Sequence, residues 1–150
     1  ARSSTTAAVF VDTNVLLYSI DNDPTSAPKR DRARQLLLTE PWGRSVQVAA
    51  EFFVNATSAK RPFRLAAAEA AKFVENWLAY PTQAVTPDIV RAAIDYHQRF
   101  QLSYWDSAIL AAAKALGCQS VYSEDMNHGQ DYDGVRVVNP FLAASPAPGP

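Results

Sequence analysis

A chain of 150 residues, 48% hydrophobic and 19% charged, is long enough for one compact domain with a real core and too short for two comfortable ones. Its formal net charge is −1, so binding to nucleic acid has to come from a local basic patch, because the global field offers little. A single cysteine, Cys118, excludes an intrachain disulfide and fits a reducing compartment. No apolar run is long enough to span a bilayer, and residues 1–6 lack the apolar core of a secretory leader, so a cytoplasmic protein is expected.

In chain order, a flexible segment over 1–6 precedes an apolar run, Val9 to Val11, that reads as a strand buried on both faces, the pattern of a parallel sheet. Asp12 stands where that strand should end. It is either a cap for the following helix or a carboxylate placed for chemistry at the carboxyl edge of a sheet. Asp21 to Pro28 is loop-like, and Pro28 opens a helix running to about Thr39, with Ala33, Leu36, Leu37 and Leu38 as its packing residues. Its basic residues Lys29, Arg30, Arg32 and Arg34 read first as a solvated face.

Pro41 and Gly43 break the pattern. Arg44 to Val48 is a short strand or the lead into a helix that carries Ala49 to Ala56, with Glu51 set among apolar residues. On its own Glu51 reads as a solvent-side residue; if buried, it has to be paired, protonated or bound to a cation. Lys60 to Arg64 is a basic turn. An Ala-rich helix from Leu65 to about Leu78 follows, then a short strand over Gln83 to Val85. Thr86-Pro87-Asp88 is a helix start, with Thr as N-cap, Pro in the first turn and Asp against the positive dipole end. That helix runs to Phe100, and His97 on it reads as a structural histidine.

Gln101 to Trp105 leads into Asp106 and a helix over Ser107 to Leu116, closed by Gly117. Cys118 to Tyr122 is the next strand, and Ser123, Glu124 and Asp125 follow it directly. Asn127 to Asp133 reads as a polar loop, Gly134 to Val138 as a last strand, and 143–150 as a flexible Pro/Ala tail. Strands alternating with helices predict an α/β fold, a three-layer α/β/α sandwich around a mostly parallel central sheet, over 7–142.

Asp12, Glu51, Asp106 and Asp125 are then four acids at strand ends or in apolar surroundings. If they converge, their repulsion and burial need one or two divalent cations, and an all-carboxylate set suits Mg2+ or Mn2+. Such a site fits phosphodiester hydrolysis. Acids scattered as caps and surface groups are the competing interpretation. The chain has no Gly-x-Gly-x-x-Gly, no phosphate-binding Gly-x-x-x-x-Gly-Lys-Ser/Thr and no Gly-x-Ser-x-Gly, so nucleotide-loop and serine-hydrolase chemistries lack their parts.

Four stretches carry a resemblance: Phe10-Val-Asp-Thr-Asn-Val-Leu-Leu-Tyr18, Gln47-Val-Ala-Ala-Glu-Phe-Phe53, Ser103-Tyr-Trp-Asp-Ser-Ala-Ile109 and Tyr122-Ser-Glu-Asp-Met-Asn127. In order and at domain-wide spacing they resemble the motifs of the PIN domain family, close to its VapC-type toxins of bacterial toxin–antitoxin systems. The resemblance implies a Mg2+- or Mn2+-dependent endoribonuclease acting on single-stranded regions of tRNA, rRNA or mRNA. It also implies a homodimer and a cognate protein antitoxin. It assigns Asp12, Glu51, Asp106 and Asp125 as catalytic metal ligands, with Thr13, Asn14 and Ser123 in support.

One departure concerns Asn127, where the family pattern often has a further acid. Asn can coordinate or orient water but brings no charge, which leaves the number of ions open. Lys29, Arg30, Arg32, Arg34, Lys60, Arg61 and Arg64 become candidates for contacting RNA, and Tyr104 or Trp105 for stacking on a base. A DNA or flap-type nuclease and a non-catalytic RNA- or protein-binding scaffold are the alternatives.

Overall fold

The structure is a computed structural model, and it describes residues 7–142. The segments expected to be flexible, 1–6 and 143–150, lie outside the described residues.

Three-residue strand β1 (Val9–Val11) is buried along its whole length and occupies the middle of a six-stranded sheet. The remaining strands are β2 (Trp42–Ser45), β3 (Thr82–Gln83), β4 (Ser120–Tyr122), β5 (Asp131–Tyr132) and β6 (Val135–Val138). Their order is β3-β2-β1-β4-β6-β5, and every neighbouring pair is parallel except β5 with β6. The helices are α1 (Thr13–Ser19), α2 (Ala27–Thr39), α3 (Val46–Ala56), α4 (Ala67–Leu78), α5 (Pro87–Phe100) and α6 (Tyr104–Ala115). Helix α1 packs against α2 and α3, α3 packs against α4, and α5 packs along α6. The predicted α/β/α architecture with a mostly parallel sheet is what forms.

The chain builds outward from β1 to β2 and β3, then crosses back to place β4 on the other side of β1. The switch point of the sheet therefore lies between β1 and β4, and ligands of open α/β sheets bind beyond the carboxyl ends of strands at such a point. Asp12 follows β1 there, and Ser123 follows β4 there. Backbone bonds hold both: Asp12 N–H donates to Tyr122 O (3.0 Å) and Ser123 N–H to Val138 O (3.0 Å).

The core gathers Phe10, Val15, Leu16, Val48, Phe52, Leu110, Val121 and Val137 around the sheet. In α6, every residue from Ser107 to Ala113 is buried. Small Ala side chains let this helix approach its neighbours on all sides, so its composition serves packing as well as helix propensity.

Several boundaries differ from the sequence expectation. Arg44 to Val48 divides: Arg44 and Ser45 end β2, while Val46 to Val48 open α3, because the Ser45 side chain accepts the Val48 N–H (3.1 Å) and starts the helix. Helix α4 begins two residues after Leu65, and its start is closed by the Ala66 N–H donating to Glu69 Oε1 (3.0 Å). Strand β3 lies one residue earlier and is only two residues long, and β4 and β6 also begin later than expected. Helix α6 begins at Tyr104, not Ser107, since Ser103 caps it through the Asp106 N–H (3.1 Å). Asp131–Tyr132, read as loop, is a strand in a tight hairpin: Asp133 (φ 55°) and Gly134 (φ 92°) both take the left-handed conformation of a two-residue turn. His97 is structural as expected, its Nδ1 meeting the Leu102 carbonyl, but it is exposed; Tyr96 is the buried neighbour.

Gly43 sits in β2 where a Cβ would meet Cys118 Sγ at 3.0 Å and Leu116 Cδ1 at 3.1 Å. Gly43→Ala is therefore expected to destabilise the fold by about 1–2 kcal/mol through overpacking, read as a lowered urea midpoint with unchanged m.

Candidate functional site

The first carboxylate is fixed by the turn from β1 into α1. Asp12 is the N-cap of α1, in extended conformation, and its Oδ1 accepts the Thr13 N–H at 2.7 Å. Its Oδ2 accepts the Ser123 hydroxyl at 2.7 Å. Asp12 thus serves as cap and also faces a cavity. Only 7% exposed, it has no basic partner among the described residues, and burial pushes its carboxyl up to about 6; the charges of Asp125 and Glu51 add to this, against the two hydrogen bonds.

Thr13 and Asn14, at the start of α1, reach the next two acids. The Thr13 hydroxyl donates to Glu51 Oε1 at 2.7 Å. Asn14 Nδ2 donates to Asp125 Oδ2 at 3.0 Å, and its Oδ1 accepts the Glu124 N–H at 3.3 Å. Ser123, fully buried, also accepts the Asp125 N–H at 3.2 Å. Glu51 stands on α3, where Gln47, one turn earlier, donates to its Oε2 at 3.3 Å. Asp106 comes from the first turn of α6, and burial raises its pKa, reinforced by the charges of Asp125 and Glu51.

Asp12, Glu51, Asp106 and Asp125 all line one cavity of about 310 Å³, together with Thr13, Asn14, Leu17, Gln47, Asn55, Trp105 and Ile109. Four acids from segments more than a hundred residues apart in sequence therefore share one space. None of the four forms an ion pair among the described residues. This donor set, all hard oxygen and uncompensated in charge, fits a divalent cation of the Mg2+ or Mn2+ type. Among the described residues no three acidic, His or Cys side chains stand at joint ligating distance. Sharing an ion thus calls for side-chain rotation or bridging water, which is usual for Mg2+ because it sheds its waters reluctantly.

Other candidates separate by position. Trp105, 62% exposed, stands at the rim of the acid cavity against Tyr104. Asn127 is exposed and does not line the cavity, so the position expected to bear on the ion count is not brought to the four acids. Arg61 lines a neighbouring cavity of about 240 Å³ that shares Asn14 and Leu17 with the acid cavity; it donates to Leu17 O at 3.2 Å, and its Nε–H has no partner among the described residues. Lys29 pairs with Glu124, which lines the same neighbouring cavity, and also donates to the Tyr18 hydroxyl. Arg30, Arg32, Arg34, Lys60 and Arg64 line neither cavity. Arg32 and Arg34 instead donate to the Pro140 and Ser19 carbonyls.

Gln47 and Asn55 carry no role in the sequence interpretation. The signal for them was the four-residue step Gln47, Glu51, Asn55, which puts all three on one face of α3. Ser123→Ala removes the only side-chain donor to Asp12 among the described residues; in metal-free protein the Asp12 carboxyl is expected to titrate at higher pH than in wild type, read from its carboxyl carbon shift by NMR.

Comparison with known proteins adds the lineage. The solved structures similar to this chain include the VapC20 toxin of Mycobacterium tuberculosis, described as cleaving the sarcin-ricin loop, and a toxin–antitoxin complex from Klebsiella pneumoniae. The first has 22% identity, covering 91% of this chain and 95% of that one, with a TM-score of 0.61. The second has 19% identity, covering 88% and 97%, with a TM-score of 0.65. No curated protein sequence matches the chain. The model of the PIN domain matches residues 9–130, a span that contains β1, the crossover and all four acids, and the chain belongs to the PIN domain family.

Proposed function

We propose that this protein is a metal-dependent endoribonuclease that cleaves single-stranded regions of RNA, the toxin of a toxin–antitoxin pair acting in the cytoplasm. The observation that carries the proposal is the shared cavity of Asp12, Glu51, Asp106 and Asp125 with no basic residue in its lining. Family membership supports the nuclease class, and the likeness to a sarcin-ricin loop cleaving toxin and to a toxin–antitoxin complex supports RNA as substrate and a protein antitoxin as partner. A homodimer is part of the same proposal.

In this proposal Asp12, Asp106, Asp125 and Glu51 hold one or two Mg2+ or Mn2+ ions. Such an ion, when bound, polarises the phosphate and makes a water nucleophilic near neutral pH. The protein's own side chains preset the site. Ser123 and the Thr13 N–H fix both Asp12 oxygens, the Thr13 hydroxyl and Gln47 fix Glu51, and Asn14 fixes Asp125. Trp105 at the rim offers an exposed ring on which an unpaired base stacks. Arg61, beside the cavity, supplies the cation that the acid wall lacks and holds a flanking phosphate.

The test is side-by-side digestion of RNA and DNA of one sequence by purified protein with Mg2+ or Mn2+, with RNA ends sequenced. Discrete new RNA ends, absent with Asp12→Asn, are expected. Cleavage of DNA alone would reassign the protein to the flap-type nucleases, and binding without cleavage of either would make it a scaffold.

A further inference from the structure

At the end of the sheet opposite the four acids lies a larger cavity, about 640 Å³, built where α2 enters β2 and α4 enters β3. Its walls are Leu37, Leu38, Trp42, Trp77 and Tyr80, and its one basic residue is Arg44. Arg44 is 6% exposed, an unusual depth for a guanidinium.

Its guanidinium lies 3.7 Å from the Trp42 ring centroid and 4.9 Å from that of Tyr80. It donates to the carbonyls of Trp42 (2.5 Å) and Trp77 (3.3 Å), while its Nε–H, itself buried, finds no acceptor among the described residues. Among the described residues it has no ion-pair partner; Glu40, the other charged wall residue, is not paired with it. Burial lowers its pKa to about 10, so the group remains a cation at neutral pH at a cost in solvation. A guanidinium has five N–H donors and the two carbonyl bonds leave Nη–H groups unused; a planar cation backed by aromatic rings with donors to spare is what a carboxylate binds in a largely apolar pocket. Size and lining agree with a small-molecule site, mostly apolar side chains with Arg44 and Glu40 as the charged groups.

We infer that this cavity is a binding site for a monocarboxylate carried on an aromatic or branched aliphatic group, with Arg44 receiving the carboxylate and Trp42, Trp77, Tyr80 and Leu38 receiving the apolar body. Nucleic acid fits less well, because Arg44 and Glu40 leave the lining with no net charge to hold a polyanion. The inference does not depend on the nuclease proposal, since the acid cavity shares no lining residue with this one.

The test uses the full chain and its three tryptophans, followed by their indole N–H signals during titration with 3-phenylpropionate. Trp42 and Trp77 line the Arg44 cavity and Trp105 lines the acid cavity, so the third signal is an internal control. Saturable shifts of Trp42 and Trp77 with Trp105 unmoved are expected. The uncharged 3-phenylpropanamide and the variant Arg44→Met are each expected to weaken binding at least tenfold. Leu38 is 86% exposed, so Leu38→Asp leaves the core untouched while placing a negative charge at the mouth; it too should weaken binding at least tenfold, even if Arg44→Met fails to fold. Asp12→Asn should bind as wild type does. An acetylated and amidated Leu-Asp-Leu tripeptide separates the sources: tighter binding than the free acid assigns the carboxylate to a peptide side chain, weaker binding to a free metabolite. Equal binding of acid and amide, no movement of Trp42 and Trp77, insensitivity to Leu38→Asp, or tighter binding of adenosine 5′-monophosphate would overturn the inference.

Discussion

Asp12→Asn is expected to lower RNA cleavage at least 100-fold while making the metal-free protein more stable at neutral pH. The first effect follows from the position of Asp12 at the switch point of the sheet, with both oxygens already oriented by Ser123 and the Thr13 N–H. Losing one preorganised charge at such a centre typically costs about 10²–10³ in rate. The second effect comes from the same burial. With a folded-state pKa raised from 3.8 to about 6, Asp12 binds its proton more tightly in the folded than in the unfolded chain. The folded state therefore carries more bound protons between about pH 4 and 6, and stability falls as pH rises through that window. The full loss is on the order of 3 kcal/mol at most, complete above the folded pKa. Urea midpoints in chelator at pH 4 and pH 7.5 should show this decline in wild type and a much smaller one in Asp12→Asn. A variant that cleaves at the wild-type rate would remove Asp12 from the site; one that is less stable than wild type at pH 7.5 would show that its hydrogen bonds outweigh its desolvation.

Divalent metal is expected to reverse that penalty. Cation binding to the acid cavity stabilises only the folded chain, so Mn2+ or Mg2+ at about 100 times its Kd should add about 2.7 kcal/mol, seen as an upward shift in Tm. Asp106→Asn and Asp12→Asn should shift much less, because each removes one of four uncompensated carboxylates. Chelator should abolish cleavage by wild type, with activity restored by either ion. Activity that survives chelation, or equal Tm shifts in wild type and both variants, would place the metal elsewhere. Because the shift is read without RNA, it separates failure to bind metal from failure to recognise substrate.

The sequence alone, by local pattern, determined the elements and residues whose role is local. The uninterrupted apolar run Val9–Val11 reads as a strand covered on both faces and forms one, and Thr86-Pro87-Asp88 starts α5 as its capping chemistry requires. Three of the four motif acids have local signals, Asp12 and Asp125 after strands and Asp106 in the first turn of a helix, whereas Glu51 stands in the middle of α3. Two misjudged boundaries also had local signals: Ser103 three residues before Asp106 is a cap, and Asp133-Gly134 is a two-residue hairpin turn.

Tertiary structure decided what no window of neighbouring residues contains. Crossing from β3 back to β4 brings Asp125 beside Asp12, and the same path leaves Asn127 outside the cavity. Arg61 sits beside the acids while Lys60 and Arg64, in the same basic turn, do not, because the side chain of Arg61 turns inward to the end of α1. Arg44 looked like one more strand residue, and only the packing of Trp42, Trp77 and Tyr80 around it makes it a buried cation. The physical reason is common to all three. Periodicity and capping are energies between near neighbours, whereas desolvation and charge depend on which distant segments the topology brings together.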